Sequence, residues 1–333
     1  VISPKDPSRI IAARSGSPLV IGVSNKGNFI ASDQMALLDF TKDFIFLEEG
    51  DIADITLNSV TIYDANGNQV EREIQTSKLK SGQASKGHYP HYMLKEIFEQ
   101  PQAIQDTLES RVTKDSVLIS AFGHKAKDIF KNTKHIQIIA CGTSYNAGLV
   151  AKYWLEDIAK IPTHIEVASE YRYRDPIILD ETLFITISQS GETADTLEAL
   201  KTVKKRSNKI HTLSICNSAE SSLTRESELT FLTHAGPEIG VASTKAFTTQ
   251  LVSLALLSVA IGKCHQQVSL EQEVKIVDGL NRLPGLIKKT LEQEAQIIEL
   301  AKTFKNKFNA LFLGRGCMHA IAMEGALKLK EIS

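Results

Sequence analysis

Six consecutive residues, 188–193, form a turn whose side chains and backbone suit the binding of a phosphate group. The turn follows an apolar run at 185–187 and precedes a helical pattern at 194–204. Its side-chain hydrogen-bond donors are Ser188, Gln189, Ser190 and Thr193. A helix start adds about four unpaired backbone N–H groups and a partial positive charge. The turn can therefore surround a dianion without a lysine or arginine, although ordinary helix capping by Ser190 or Thr193 is an equally open interpretation.

A second turn of this type follows the predicted strand at 135–140. Residues 141–144 read Cys-Gly-Thr-Ser and lead into a predicted helix at 145–158 with apolar residues at helical spacing. Thr143 and Ser144 supply hydroxyl groups at this strand end. In open α/β sheets the carboxyl ends of the strands hold the ligand, so the two turns are predicted to converge on one crevice.

A third segment, the glycine-punctuated loop at 236–245, opens a predicted helix at 246–261. Val241 and Ser243 lie in this loop and are candidates for ligand contact through backbone or hydroxyl groups. A purely structural loop with a serine or threonine cap is the alternative.

The last predicted helix carries the best acid/base candidates of the chain. Glu324, Lys328 and Glu331 are spaced i, i+4 and i+7, so they share one helical face. A carboxylate there could remove a proton beside a carbonyl or imine. The alternative is a solvated face with an i to i+4 ion pair.

Four motifs in this order resemble the isomerase half of the glutamine:fructose-6-phosphate amidotransferase (glucosamine-6-phosphate synthase) family. They are CGTS at 141–144, SQSGET at 188–193, GVASTKAF at 240–247 and EGALKLKEIS at 324–333. Residues 1–80 are similar to the end of the family's glutaminase domain. The segments that carry this second likeness are AARSGSPL at 12–19 and FLEEGDI at 46–52.

The resemblance implies a reaction and a set of roles. Ammonia from glutamine would add to C2 of open-chain fructose 6-phosphate, and isomerisation would give glucosamine 6-phosphate without a metal or other cofactor. Glu331 would shuttle a proton between C1 and C2, with Lys328 in the active site. The binding residues implied are Ser188, Gln189, Ser190 and Thr193 for the phosphate, Thr143 and Ser144 for phosphate or sugar hydroxyls, and Val241 and Ser243 for the sugar.

The resemblance also implies that this chain is part of a longer enzyme, and it implies the cellular location and the oligomeric state of that enzyme. The family's N-terminal cysteine nucleophile is absent before Cys141, and the family continues past Ser333 through the rest of a second sugar-phosphate isomerase (SIS) domain. We therefore expect this chain to be inactive alone, and the whole enzyme to be a cytoplasmic homodimer joined through its SIS domains. Its partners would be fructose 6-phosphate and glutamine, without nucleic acid or membrane. The alternatives are a phosphosugar isomerase or deglycase without amide transfer, a regulatory sugar-phosphate-binding module, and a purely structural fragment.

Composition agrees with a metabolic enzyme. The chain has 333 residues, 42% of them hydrophobic, and a formal net charge of −1, which gives no reason to expect nucleic acid or acidic membranes as partners. The four cysteines show no paired short spacing, so neither a disulfide framework nor a zinc site is indicated. The apolar run at 251–262 is too short for a bilayer and is predicted to be a core helix.

The predicted fold class is α/β: a doubly wound parallel sheet of SIS type, preceded by the mainly antiparallel β end of an N-terminal-nucleophile glutaminase domain. Strands are expected at 19–23, 43–47 and 54–63, then, from about residue 117, alternating with helices, at 137–140, 164–167, 183–187, 210–215, 229–232 and 310–313. We predict a helix at 91–111 interrupted at Pro101, and a helical stretch at 270–304. The predicted domains are the glutaminase end (1–76), a linker (77–90), the first SIS domain with its leading helix (91–265), and connecting helices with the start of a truncated second SIS domain (266–333). The segments 138–158 and 312–332 share a strand, glycine turn and helix layout, a weak internal repeat.

Overall fold

The computed structural model describes residues 1–16, 18–77 and 86–332. The chain divides into two compact units, residues 1–85 and 86–333. Ser17 and Ser333, which belong to two of the family motifs, and residues 78–85 of the predicted linker lie outside the described residues.

The first unit is built from antiparallel strands, as the short apolar runs and polar turns predicted. Its strands are β1 (Ile2–Ser3), β2 (Asp6–Ala13), β3 (Val20–Ser24), β4 (Gly27–Ala31), β5 (Asp43–Phe46), β6 (Ile52–Thr56), β7 (Val60–Tyr63), β8 (Gln69–Val70) and β9 (Ile74–Thr76), with a 3-10 helix at Gln34–Leu37. They form two sheets of order β1-β2-β6-β7-β8 and β4-β3-β5-β9. Side chains of both sheets, such as Ile21 and Ile55, meet in one buried cluster. Successive side chains of a strand point to opposite faces of the sheet, so every second residue can enter this cluster.

The run at 54–63, predicted as one strand, is two strands joined by a turn. Thr56 Oγ1 accepts a hydrogen bond from the Ser59 backbone N–H at 3.0 Å, and Ile55 pairs with Val60 across the resulting hairpin. The prediction of one strand was wrong because the apolar pattern continues on both sides of a polar turn that reverses the chain.

The first unit contains an ion pair between Arg72 and the buried Asp51. The Asp51 side chain is only 1% exposed, and it accepts hydrogen bonds from Arg72 Nε at 2.9 Å and Nη2 at 2.8 Å. The Glu48 backbone N–H also donates to this carboxylate at 2.8 Å. The Arg72 hydrogen bonds are the main reason that the pKa of Asp51 lies below its usual value of 3.8.

The second unit is a parallel sheet with helices on both faces. Its strands are β10 (His135–Ala140), β11 (Thr163–Val167), β12 (Thr182–Ser188), β13 (Ile210–Cys216) and β14 (Leu229–Leu232), in the order β11-β10-β12-β13-β14, with parallel pairing throughout. The predicted strands at these five places and the doubly wound α/β class are confirmed. Neighbouring residues of β10 point to opposite faces: Ile138 joins one buried cluster and Ile139 the other.

Helices cover the two faces of this sheet. They are α1 (Tyr92–Leu108), α2 (Ala126–Asn132), α3 (Gly142–Trp154), α4 (Ala168–Tyr173), α5 (Ala194–Arg206), α6 (Ser222–Glu226), α7 (Lys245–Cys264), α8 (Leu270–Leu291), α9 (Glu294–Phe304) and α10 (Cys317–Ile332), with a 3-10 helix at Ile119–Phe122 and a π turn at Leu155–Ala159. By length and composition, α7 passes as a membrane span, with a mean hydropathy of 1.5, but 67% of its apolar window is buried inside the protein. It packs in the core cluster through residues such as Leu254 and Leu257, as predicted for the run at 251–262.

Pro101 does not interrupt the first helix, contrary to our prediction. Helix α1 runs through it without a break. A proline removes the hydrogen bond to the carbonyl four residues earlier, here that of Ile97. The side chain of Gln100 donates to that carbonyl at 2.8 Å and so replaces the lost bond.

The predicted strand at 310–313 is absent from the described residues, and so is the strand half of the predicted internal repeat. These residues are irregular, and Leu311 and Leu313 are each 87% exposed. A strand needs a neighbour to pair with, and none of the strands that the structure describes pairs with this segment. The helix that follows, α10, does form.

Candidate functional site

The two hydroxyl-rich turns meet in one cavity at the carboxyl ends of adjacent strands. Strand β10 pairs directly with β12, so the turns that follow them are neighbours. The cavity measures about 190 Å³ and is lined by Cys141, Thr143, Ser144, Ile187, Ser188, Gln189, Ser190, Thr193 and Ser243. The lining is therefore neutral and rich in hydroxyl groups, which suits an anion held by hydrogen bonds.

The turn at 188–193 is held by its own side chains. Ser188 Oγ accepts from the Gly191 backbone N–H at 3.0 Å and lies 3.1 Å from Thr193 Oγ1. Gly191 has a φ of 71°, and a Cβ there would lie 2.1 Å from Ser221 Oγ, so both conformation and space require glycine.

Simple capping does not describe this turn. Thr193 occupies the N-cap position of α5, yet among the described contacts its side chain makes no capping hydrogen bond. Ser190 Oγ accepts from the Glu192 N–H at 3.2 Å, which lies before the helix. The first-turn N–H groups of α5 are thus left without a side-chain cap beside the cavity.

The turn at 141–144 begins helix α3 one residue after the strand. Gly142 has a φ of 54°, and Cys141 is the N-cap residue. Ser144 is buried, and its Oγ accepts from Gln250 Nε2 of α7 at 3.0 Å. Gln250 itself is 1% exposed, and its Oε1 has no hydrogen-bond partner among the described residues.

Helix α10 docks against the start of α3 through its acidic and basic face. Glu324 is 5% exposed, and it accepts from Thr143 Oγ1 and from Asn146 Nδ2, each at 2.8 Å. Lys328 Nζ donates to Thr143 Oγ1 at 3.1 Å and to Glu331 Oε2 at 2.6 Å. The three residues share a face as predicted, and Glu324 is buried rather than part of a solvated face.

This network determines which hydrogen bonds the Thr143 hydroxyl makes. Its hydroxyl proton goes to Glu324 and its oxygen accepts from Lys328, so Thr143 has no proton left to donate to a phosphate. Thr143 thus links the cavity wall to Lys328 and Glu331, which do not themselves line the cavity.

The loop at 236–245 contributes one of its two predicted residues to the cavity wall. Ser243 lines the cavity and donates to Glu238 Oε2 at 2.9 Å. Val241 is 96% exposed and lies outside the cavity lining.

Sequence reasoning missed the polar residues behind the wall. These are Glu96, Asn146, Glu238 and Gln250. The signal for Gln250 was a polar residue inside the apolar pattern of α7, and the signal for Glu238 was a carboxylate in the glycine-rich loop. The contacts of Glu96 and Asn146 are to residues more than 140 positions away, which no local pattern reveals.

Two further observations bear on the chemistry. Burial raises the pKa of the Cys216 thiol, which lies beneath the turn at 188–193, so that thiol is not an activated nucleophile. Within residues 1–16, 18–77 and 86–332, no cluster of three or more His, Cys, Asp or Glu side chains could hold a metal ion.

A larger cavity, of about 330 Å³, lies at the opposite end of the strands, where His135 and Thr182 begin β10 and β12. Its arginine, Arg174, is paired with Glu166 at 2.6 Å. Ligands of open α/β sheets bind at the carboxyl ends instead, so the smaller, hydroxyl-lined cavity is the candidate site.

The chain is similar to known proteins over its whole length. The SIS domain family matches residues 129–260, which contain both turns and most of α7. The chain is 54% identical over all of its 333 residues to glutamine--fructose-6-phosphate aminotransferase [isomerizing] of Pseudomonas putida, and 52% identical to that of Haemophilus influenzae. In each case it covers 54% of the relative, so the chain spans about half the length of these curated relatives.

Two solved structures are also similar to this chain. The C-terminal domain of glucosamine-fructose-6-phosphate aminotransferase from Francisella tularensis is 49% identical, with a TM-score of 0.72 over 75% of this chain and 69% of that one. Glucosamine-6-phosphate deaminase from Thermotoga maritima is 26% identical, with a TM-score of 0.54 over 73% of this chain and 67% of that one.

Proposed function

Because this chain belongs to the glutamine–fructose-6-phosphate aminotransferase family, we propose that its cavity binds fructose 6-phosphate for conversion to glucosamine 6-phosphate. The observation that carries the proposal is the convergence of two hydroxyl-rich turns and the loop at 236–245 on one cavity, with the Lys328 and Glu331 pair one hydrogen bond behind its wall.

The phosphate would lie in the turn at 188–193. Ser188, Ser190 and Thr193 would donate hydroxyl protons, Gln189 its amide, and α5 its uncapped N–H groups. Neutral donors at a helix start favour a dianion, because the helix dipole adds a partial positive charge there. Ser144 and Ser243 would meet the sugar hydroxyls, and the exposed Val241 would approach the sugar through its backbone. Thr143 would accept rather than donate.

The isomerisation would use the carboxylate of Glu331. Ammonia adds to the C2 carbonyl and water leaves, which gives an imine at C2. Glu331 removes a proton from C1 and returns one to C2, while the proton of the C1 hydroxyl passes to the imine nitrogen, so C1 becomes the aldehyde carbon and C2 carries the amine of glucosamine 6-phosphate. Lys328, 2.6 Å from Glu331, would hold the carboxylate in position. No cofactor enters this scheme.

Glutamine hydrolysis would supply the ammonia. The antiparallel unit and its likeness to the end of a glutaminase domain support this part of the proposal, and glutamine is then the second substrate. No residue of this chain is assigned to the hydrolysis itself.

The wider setting of the protein is also proposed. Cytoplasmic location is supported by the free state of Cys141, Cys216, Cys264 and Cys317, and a homodimer through SIS domains is the expectation from the family. The domain limits proposed are 1–76, 77–90, 91–265 and 266–333.

Calorimetric titration of the chain with fructose 6-phosphate tests the cavity assignment. We expect saturable heat with the phosphorylated sugar and none with fructose, because the phosphate supplies the main contacts. Equal binding of both sugars, or of neither, would contradict the proposal. Amide transfer is tested by glucosamine 6-phosphate formation from glutamine in a longer protein that carries this sequence.

A further inference from the structure

The loop at 236–245, which carries Ser243 into the cavity wall, is held by a buried carboxylate of helix α1. Glu96 is 2% exposed, and its Oε1 accepts from two consecutive backbone N–H groups, those of Ile239 at 2.6 Å and Gly240 at 3.0 Å. A carboxylate is the strongest acceptor that a side chain offers to a pair of backbone donors.

The loop backbone and the Glu96 side chain are in close contact. A Cβ at Gly240 would lie 2.6 Å from Glu96 Oε2, so a side chain there would displace the Glu96 carboxylate. Glu96 Oε2 is buried without a hydrogen-bond partner among the described residues. Burying an incompletely paired carboxylate costs free energy.

A second carboxylate, that of Glu238, connects the middle of the loop to Ser243 in the cavity wall. Glu238 Oε1 accepts from the Thr244 N–H at 2.8 Å and the Ala246 N–H at 3.0 Å. Its Oε2 accepts from the Ser243 hydroxyl at 2.9 Å. The orientation of Ser243 therefore depends on Glu238, whose next residue is the first one that Glu96 binds.

An ion pair fastens the end of the loop to the same helix. Lys245 Nζ is 2.7 Å from Glu99 Oε2, and the lysine side chain is only 4% exposed. Helix α1 thus holds the middle of the loop through Glu96 and the end of the loop through Glu99, two side chains about one helical turn apart.

We propose that Glu96 is a positioning residue that fixes the loop at 236–245 in the conformation that presents Ser243 to the sugar phosphate. The proposal rests on the proposed function of the cavity. Glu96 touches no substrate in this scheme and acts through the backbone at Ile239 and Gly240.

Three variants of the full chain test the proposal. Glu96→Leu removes the acceptor at similar size, and Glu96→Gln keeps one acceptor oxygen. Glu109→Gln makes the same chemical change at an exposed position just after the same helix and serves as the matched control. The measurements are amide hydrogen exchange without ligand and calorimetric binding of fructose 6-phosphate.

In Glu96→Leu we expect exchange at residues 239–244 to accelerate about tenfold and the affinity for fructose 6-phosphate to fall about tenfold, since two loop donors lose their acceptor. Exchange in β10 and β12 should stay unchanged. Glu96→Gln should recover most of both losses, and Glu109→Gln should match the wild type.

The exchange measurement would overturn the assignment of Glu96 if loop exchange in Glu96→Leu equals that of the wild type, or if faster exchange is spread evenly over the whole unit. Loosening of the loop without a change in affinity would also overturn it. Failure of the wild type to bind fructose 6-phosphate would instead overturn the proposed function, because the exchange measurement needs no ligand.

Discussion

The Thr143 hydroxyl donates a hydrogen bond to Glu324 across 2.8 Å, although the two residues are 181 positions apart in the chain. The same hydroxyl oxygen accepts from Lys328 Nζ at 3.1 Å. One side chain in the cavity wall thereby contacts two of the charged residues of α10, Glu324 and Lys328. The Lys328 and Glu331 pair is thereby fixed one hydrogen bond behind the cavity wall.

We expect Ser188→Ala and Ser190→Ala each to weaken fructose 6-phosphate binding by about tenfold or more, since a hydrogen bond to a charged group contributes about 1.5 to 3 kcal/mol. Calorimetry on the chain measures this. Ser269→Ala is the control: it removes the capping box of α8, so it should cost about 1 kcal/mol of stability without changing the affinity. Unchanged affinity in both the Ser188→Ala and Ser190→Ala variants would show that the turn at 188–193 does not bind the phosphate and is only structural.

Glu331→Gln should abolish isomerisation while leaving sugar-phosphate binding intact. The amide keeps the size of the side chain but cannot take up a proton, and loss of a general base lowers the rate by about 10²- to 10⁴-fold. Product formation is measured in a longer protein that carries this sequence, with the exposed Glu271→Gln on α8 as control. Near-normal turnover of Glu331→Gln would show that another group moves the proton.

Thr143→Val should loosen the docking of α10 on α3. Valine has nearly the same shape but offers neither donor nor acceptor, so Glu324 and Lys328 each lose a partner, at a cost of about 1 to 3 kcal/mol. Urea unfolding followed by the fluorescence of Trp154, the single tryptophan of the chain and a residue of α3, measures the loss. Thr143→Ser restores the hydroxyl and should recover most of the stability. Equal stability of the valine and serine variants would contradict the importance of this contact.

Asp51→Asn should remove a pH-dependent part of the stability of the first unit. The folded-state pKa of Asp51 is lowered by the hydrogen bonds from Arg72, so its contribution is complete above the unfolded pKa of about 3.9 and disappears as the pH falls through the folded value. The difference in unfolding free energy between wild type and variant should therefore shrink as the pH falls from about 5 through the folded-state pKa, which lies below 3.8. Protection of the Ile21 and Ile55 amides against hydrogen exchange reports it, and the exposed Asp39→Asn is the control. A difference that stays constant with pH would contradict the linkage.

The local sequence pattern correctly predicted those strands and helices that depend mainly on their own residues. Strands β10 and β12 are apolar runs bounded by polar turns, and α5 and α7 begin close to the predicted residues, because strand and helix periodicity follow from the backbone itself. The placement of Ser188 and Thr143 at one sheet edge also followed from sequence, since parallel strands end together.

Local pattern failed where a distant or unexpected partner decides the outcome. Pro101 predicts a helix break, but Gln100 supplies the missing hydrogen bond to Ile97. The apolar residues at 310–313 predict a strand, but a strand exists only when another one pairs with it.

The residue pattern alone predicted the antiparallel and parallel character of the two units, the hydroxyl-rich turns and the shared face of Glu324, Lys328 and Glu331. The burial of Glu324 against Thr143 and the contact of Glu96 with the loop at 236–245 follow from the packing of distant elements and could not be predicted from that pattern. Periodicity records how a residue is placed relative to its own helix or strand, whereas these contacts depend on which elements pack together, and that is decided by the burial of the whole core.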